Sequence, residues 1–226
     1  MSIRADTFAA VRGAATLLAA LALAAGAGAW SGRVDAGEAH AAPALPLKAG
    51  YRTLGNAFRL KAYYYAYAHT PAVPAEFTRY RGDEKAAGTG LSAKVAAAVH
   101  AARTHPGVVL ELGEVALRQY DPERQAFPMD NRLFIQGMRY YFDVSPYHYV
   151  FADARGLNPL PCRDPATVAE IGRLVAAYRQ FAMRVYGQVV SADPKQNAVV
   201  IRVQTVQVFG PGGHLLLERS GGEQEP

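Results

Sequence analysis

One cysteine in 226 residues, Cys162, excludes an internal disulfide, so the fold must stand on its apolar core alone. Charge is sparse as well, at 19% of residues, and the basic excess is not concentrated. Lys94, Arg103, Arg118, Arg124, Arg132, Arg139, Arg155, Arg163 and Arg173 form no run, which reads as a solvated surface, and nucleic acid is not an expected partner. Gly-x-Ser-x-Gly, Ser-x-x-Lys, His-Glu-x-x-His and phosphate-loop motifs are missing, which counts against the familiar hydrolases. Metal ligation finds no spacing either. His100 and His105 miss the i,i+4 interval of a shared helix face, and Asp121, Glu123 and Asp130 are too irregular for a calcium loop. No cofactor and no metal are expected.

What is present starts with an export signal. Arg4 and Arg12 precede an uncharged, alanine-rich run over residues 14–25, which is too short for a comfortable membrane span and has the plan of a signal peptide. Ala27-Gly28-Ala29 and Ala39-His40-Ala41 both offer small-x-small sites, so cleavage is expected after Ala29 or Ala41; the alternative is an uncleaved N-terminal anchor. Residues 1–41 are assigned to this signal and linker, and 42–226 to a single domain. Removing 1–41 takes away Arg4, Arg12 and Arg33 together with Asp6, Asp35 and Glu38, so the formal charge stays at +5. The expected location is periplasmic or secreted, with no integral membrane domain beyond that anchor.

The clearest periodic signal lies over residues 181–218. Met183, Val185, Gly187 and Val189 alternate with Arg184, Tyr186 and Gln188, as in a strand with one buried face. The turn Asp193-Pro194-Lys195-Gln196-Asn197 leads to a second strand in which Val199, Ile201 and Val203 share one parity and Val206 and Val208 the other. One extra residue near Gln204-Thr205, a β-bulge, returns all five to one face. Gly210-Pro211-Gly212-Gly213 turns the chain into a third strand.

Upstream, 43–48 reads as a mobile spacer and 51–68 as an amphipathic helix, its Tyr63-Tyr64-Tyr65-Ala66-Tyr67 cluster mostly packing. Residues 72–90 read as a loop, and Ser92 as the cap of a helix ending at His105-Pro106-Gly107. Residues 108–120 form a strand with a bulge at Gly113; 133–144 form a strand covered on both faces; 147–151 form another. Asp164 caps a helix with Pro165 in its first position, running to about Arg179 and burying Tyr178. The expected fold is α+β: a curved, partly closed antiparallel sheet of about six strands, with N-terminal helices and one helix inserted between strands three and four. That order resembles the oligonucleotide/oligosaccharide-binding barrel in topology alone.

Tyr120-Asp121-Pro122-Glu123-Arg124-Gln125-Ala126-Phe127-Pro128, followed by a strand, an Asp-Pro-capped helix and a valine-rich hairpin, resembles a family of uncharacterised exported bacterial proteins known as a domain of unknown function. The resemblance covers roughly 51–218. It implies an envelope location and transfers no catalytic residue.

Three sets of side chains stand out for chemistry. Cys162 lies near the N-terminus of the Asp164-capped helix and beside Arg163, both favouring a thiolate, with His148 the nearest imidazole in sequence. Glu111 and Glu114, brought together by the Gly113 bulge, could act as a carboxylate pair. Tyr140 and Tyr149 could line a sheet face that binds a glycan or a single strand. Without a catalytic constellation, the first reading is an envelope or periplasmic binding domain whose partner is another envelope protein or a surface polymer. The alternative is a secreted enzyme using Cys162 with His148, or Glu111 with Glu114, on a cell-wall or small-molecule substrate.

Overall fold

A computed structural model of the chain describes residues 45–78, 90–130, 132–142 and 145–221. The signal segment and most of the 72–90 loop lie outside these residues. Among the described residues no helix is long and apolar enough to cross a membrane.

The expected α+β class is observed, as a six-stranded mixed sheet with helices. The strands are β1 (Arg52–Thr53), β2 (Gly107–Val115), β4 (His148–Ala152), β6 (Phe181–Asp193), β7 (Ala198–Phe209) and β8 (Leu215–Ser220); β3 (Ala126–Phe127) and β5 (Leu160–Pro161) form a separate pair. The helices are α1 (Ala57–Ala68), α2 (Leu91–Thr104) and α3 (Pro165–Ala176), with a 3-10 turn at Pro74–Phe77. Strands β2, β6, β7 and β8 pair antiparallel, while β1 joins β2 and β4 joins β7 in parallel. The pairing path runs from β1 to β4 without returning, so the sheet is open and does not close into a barrel.

The bulges read from side-chain parity are present. Register slips between Leu112 and Val115, where Glu114 takes the positive φ of 55° beside Gly113, and again where Tyr186 and Gly187 face Thr205 and Val203, leaving Gln204 as the extra residue. Val199, Ile201, Val203, Val206 and Val208 are consequently all buried in one core, with α1 packed on β6 and β7 and α2 packed on α1. Two further slips, at Val190 of β6 and Leu216 of β8, have no parity switch to announce them.

Several expectations are corrected. Helix α1 begins at Ala57 and not at 51, because the Asn56 side chain accepts the Arg59 N–H and caps it, leaving Arg52–Thr53 free to pair with β2. Helix α2 starts at Leu91 behind Gly90, so Ser92 lies inside its first turn and caps nothing. The region expected as a strand over 133–144 is a series of turns through 142: Arg132, Phe134 and Gly137 all have positive φ, which breaks a pleated strand, and a single bridge joins Tyr140 to Tyr149. Asp164 does cap α3 through the Thr167 N–H, with Pro165 first in the helix, but α3 stops at Ala176. Tyr178 then turns out in a left-handed conformation and is 95% exposed.

Strand β6 is buried on both faces, not one. Residues 45–48, expected to belong to a mobile spacer, and Tyr51 beyond them lie across the second face. The Arg184 guanidinium donates to the Leu45 carbonyl, Tyr51 packs edge-on against Tyr186 at 4.9 Å, and Lys48 pairs with Glu218 at 2.7 Å. Beneath them runs a row of directly opposed polar residues, Glu111, Arg184, Gln207 and Glu218, one from each of four adjacent strands.

Candidate functional site

The Gln204 bulge determines where a cavity can form. Strand β7 pairs with β4 through Ala198–Arg202 and with β8 through Thr205–Phe209, so its outer edge changes partner across Val203 and Gln204. Two strands approaching one edge from opposite directions cannot meet side by side, and the gap between them opens into a cavity of about 680 Å3. Its size lies within the roughly 300–1,000 Å3 of small-ligand sites.

Phe134 and Phe151 form an apolar wall, their centroids 5.3 Å apart. Among the described residues, Arg155, Arg202 and Arg219 bring three guanidiniums to the lining, against one carboxylate, Asp153. Each arginine is oriented by one bond: Arg202 Nε to Asp153 Oδ2 at 3.1 Å, Arg155 Nη2 to Gln136 Oε1 at 2.7 Å, and Arg219 Nε to the Pro161 carbonyl at 3.0 Å. A guanidinium carries five N–H donors in a rigid fork, so one anchoring bond orients the group and leaves donors for an anion. The Arg202–Asp153 pair is exposed on both sides and therefore weakly held, so a ligand carboxylate can replace Asp153 at little cost.

Tyr140 and Tyr149 stand behind this wall. They exchange two backbone hydrogen bonds of 3.0 Å and their rings stack 5.2 Å apart. The Tyr140 hydroxyl accepts the Phe134 N–H at 3.1 Å, and both rings contact Phe151. Tyr149 is buried, and burial pushes its hydroxyl well above the ordinary tyrosine range. The pair thus positions Phe134 and Phe151 and offers no open platform of its own.

The other sequence candidates lie outside the cavity lining. Cys162 is fully buried, and its burial raises the thiol, with Arg219 opposing in part. His148 is buried against Tyr141 with both ring nitrogens sealed from solvent and without a well-formed hydrogen bond, so no thiol–imidazole pair exists. Burial lowers its protonation range, opposed by the Pro146 carbonyl. Glu111 is in an ion pair with Arg184 at 2.8 Å, and Glu114 occupies the left-handed bulge position. Among the described residues no three His, Cys, Asp or Glu side chains assemble as a metal set.

A second carboxylate is engaged by two phenols. Glu76 Oε2 accepts from Tyr65 at 2.5 Å and from Tyr147, and the hydroxyls lie 3.2 Å apart. Burial, reinforced by the bond to Glu76, raises the Tyr147 hydroxyl strongly, so these phenols stay protonated and tie the 3-10 turn to α1 and to the residue that leads into β4.

Sequence reasoning does not find the arginine set. Arg155, Arg202 and Arg219 come from a loop, a strand and another strand, and the signal that points toward them is the parity switch at Gln204. The chain matches no family model, no curated protein and no solved structure.

Proposed function

We propose that the chain is an exported, non-catalytic binding domain of the bacterial envelope, and that the cavity between β4 and β8 takes an acidic group of a surface polymer, such as an acidic glycan. The observation that carries this is the convergence of Arg155, Arg202 and Arg219 on one cavity whose lining, among the described residues, holds a single carboxylate. Arginine forks match carboxylate and phosphate geometry, and Phe151 supplies an apolar surface against which a sugar ring can rest. The signal-like N-terminus supports the location. The burial of Cys162 and the isolation of His148 favour binding over thiol chemistry.

Calorimetric titration with polygalacturonate, with neutral dextran as control, tests the reading. Binding to the acidic polymer is expected, weakening with salt, while Arg155→Ala, Arg202→Ala and Arg219→Ala each cost about tenfold, the value of one charge-assisted hydrogen bond. Equal binding of dextran, or unchanged affinity in the triple variant, overturns it.

A further inference from the structure

A second groove, sharing no residue with the arginine cavity, lies where α1 and α2 pack beside β1. It encloses about 750 Å3. Its floor is made of Ala62 from α1 with Ala98, Ala101 and Ala102 from α2, and Phe58 stands at its side. Of the two hydroxyl-bearing residues in the lining, Thr53 and Tyr63, the larger already donates its hydroxyl to the His105 carbonyl at 2.9 Å, and the four alanines add no polar side-chain atom. The rim is the opposite. Arg52, Arg59 and Lys94 all reach it, and no carboxylate belongs to the lining.

The three cations are oriented and not loose. Arg59 donates to the Thr53 carbonyl at 2.5 Å, the Arg52 guanidinium lies 3.2 Å from His105 Nε2, and the Lys94 ammonium sits 5.3 Å from the Phe58 ring centroid. Three positive charges in a lining that holds no carboxylate among the described residues repel a cationic or basic occupant and attract an anion. A compact anion would satisfy the rim but leave the alanine floor wet. A neutral chain would cover the floor but leave the cations unused. We propose that this groove binds a single-chain amphiphile with an anionic head, its acyl chain on the alanine floor and its head among Arg52, Arg59 and Lys94. The volume is in the range of small-molecule sites, which suits one chain and not a lipid bilayer. Charge complementarity at the rim and apolar complementarity on the floor are met together only by such a ligand.

Isothermal titration of the protein with dodecyl phosphate and with laurate, both below their micelle-forming concentrations, tests the site, with inorganic phosphate and dodecyl maltoside as the head-only and neutral-head controls. One saturable site is expected for either anionic amphiphile, and the tighter of the two identifies the head as phosphate or carboxylate. Shortening dodecyl phosphate to decyl phosphate removes two methylenes and should weaken binding by about 4- to 15-fold, at roughly two- to fourfold per methylene. Ala98→Trp, which fills the groove, and the double variant Arg59→Ala/Lys94→Ala, which changes exposed side chains alone, should each weaken binding by at least about tenfold. Should Ala98→Trp fail to fold, the rim variant and the chain-length series decide. Affinity independent of chain length, inorganic phosphate or dodecyl maltoside binding as tightly as dodecyl phosphate, or dodecyl phosphate binding undiminished in the rim variant overturns the proposal.

Discussion

The backbone N–H of Gly221 donates to the Gln204 carbonyl at 2.8 Å, tying the end of β8 to the one residue of β7 that has no partner in any of its three strand pairings. That bond closes one end of the arginine cavity. The approach is tight: a Cβ at position 221 would stand 2.2 Å from the Val203 carbonyl oxygen, so only glycine fits without a backbone shift.

Gly221→Ala therefore should push β8 away from the bulge. We expect a loss of about 1–3 kcal/mol, as for other overpacked sites, read by urea denaturation, together with weaker binding of the acidic polymer. A variant as stable as the parent would show that the end of β8 has room to move.

Acid should weaken the fold through His148. Its folded-state affinity for a proton is lowered first by burial and then by Arg139, with the Pro146 carbonyl and Asp193 opposing. The unfolded chain takes up the proton near pH 6.5, before the folded one does, so stability rises with pH across this window. The contribution is fully present above about 6.5 and is lost as pH falls from there through the lower folded value. Denaturation midpoints at pH 7.5, 6.0 and 5.0 should fall for the parent and fall less for His148→Phe; parallel slopes would assign the acid sensitivity elsewhere.

Tyr65 and Tyr147 share one acceptor oxygen on Glu76, and so should not behave independently. Tyr65→Phe and Tyr147→Phe are each expected to cost about 1 kcal/mol, and the double variant to depart from their sum by at least about 0.5 kcal/mol. Strict additivity in the double-mutant cycle would mean that the two bonds form separately.

The Cys162 thiol is buried and its burial raises it above the ordinary range. Labelling with iodoacetamide at pH 8 should be slow in the native protein and fast in denaturant. Rapid native labelling below pH 8 would reopen the thiol-enzyme reading that also invokes His148.

Much of the sheet is legible in the sequence because its signals are local. The opposite parities of Val203 and Val206 locate the Gln204 bulge, and Gly113 locates the one in β2. Asp164-Pro165 marks the start of α3. The tyrosines of α1 read correctly as packing. The failures are also physical. Residues 133–142 alternate well enough to imitate a strand, but positive φ at Arg132, Phe134 and Gly137 breaks the pleat, and Phe134, Tyr140 and Phe142 pack against the core while Tyr141 stays exposed. The two-residue strand β1 is too short to carry a period. Leu45 and Lys48 look like spacer because nothing in their own sequence announces that Arg184 and Glu218 will hold them.

By itself the sequence determined which residues of β7 share a face, where the slips at Gly113 and Gln204 fall and how α3 begins, since these follow from backbone periodicity and capping within a few residues. Tertiary structure alone decided that β4 runs parallel to β7 and shares its edge with β8, because partner choice depends on the packing of distant segments. That choice brings Arg155, Arg202 and Arg219 around one cavity, while the packing of α1, α2 and β1 places Arg52, Arg59 and Lys94 around another.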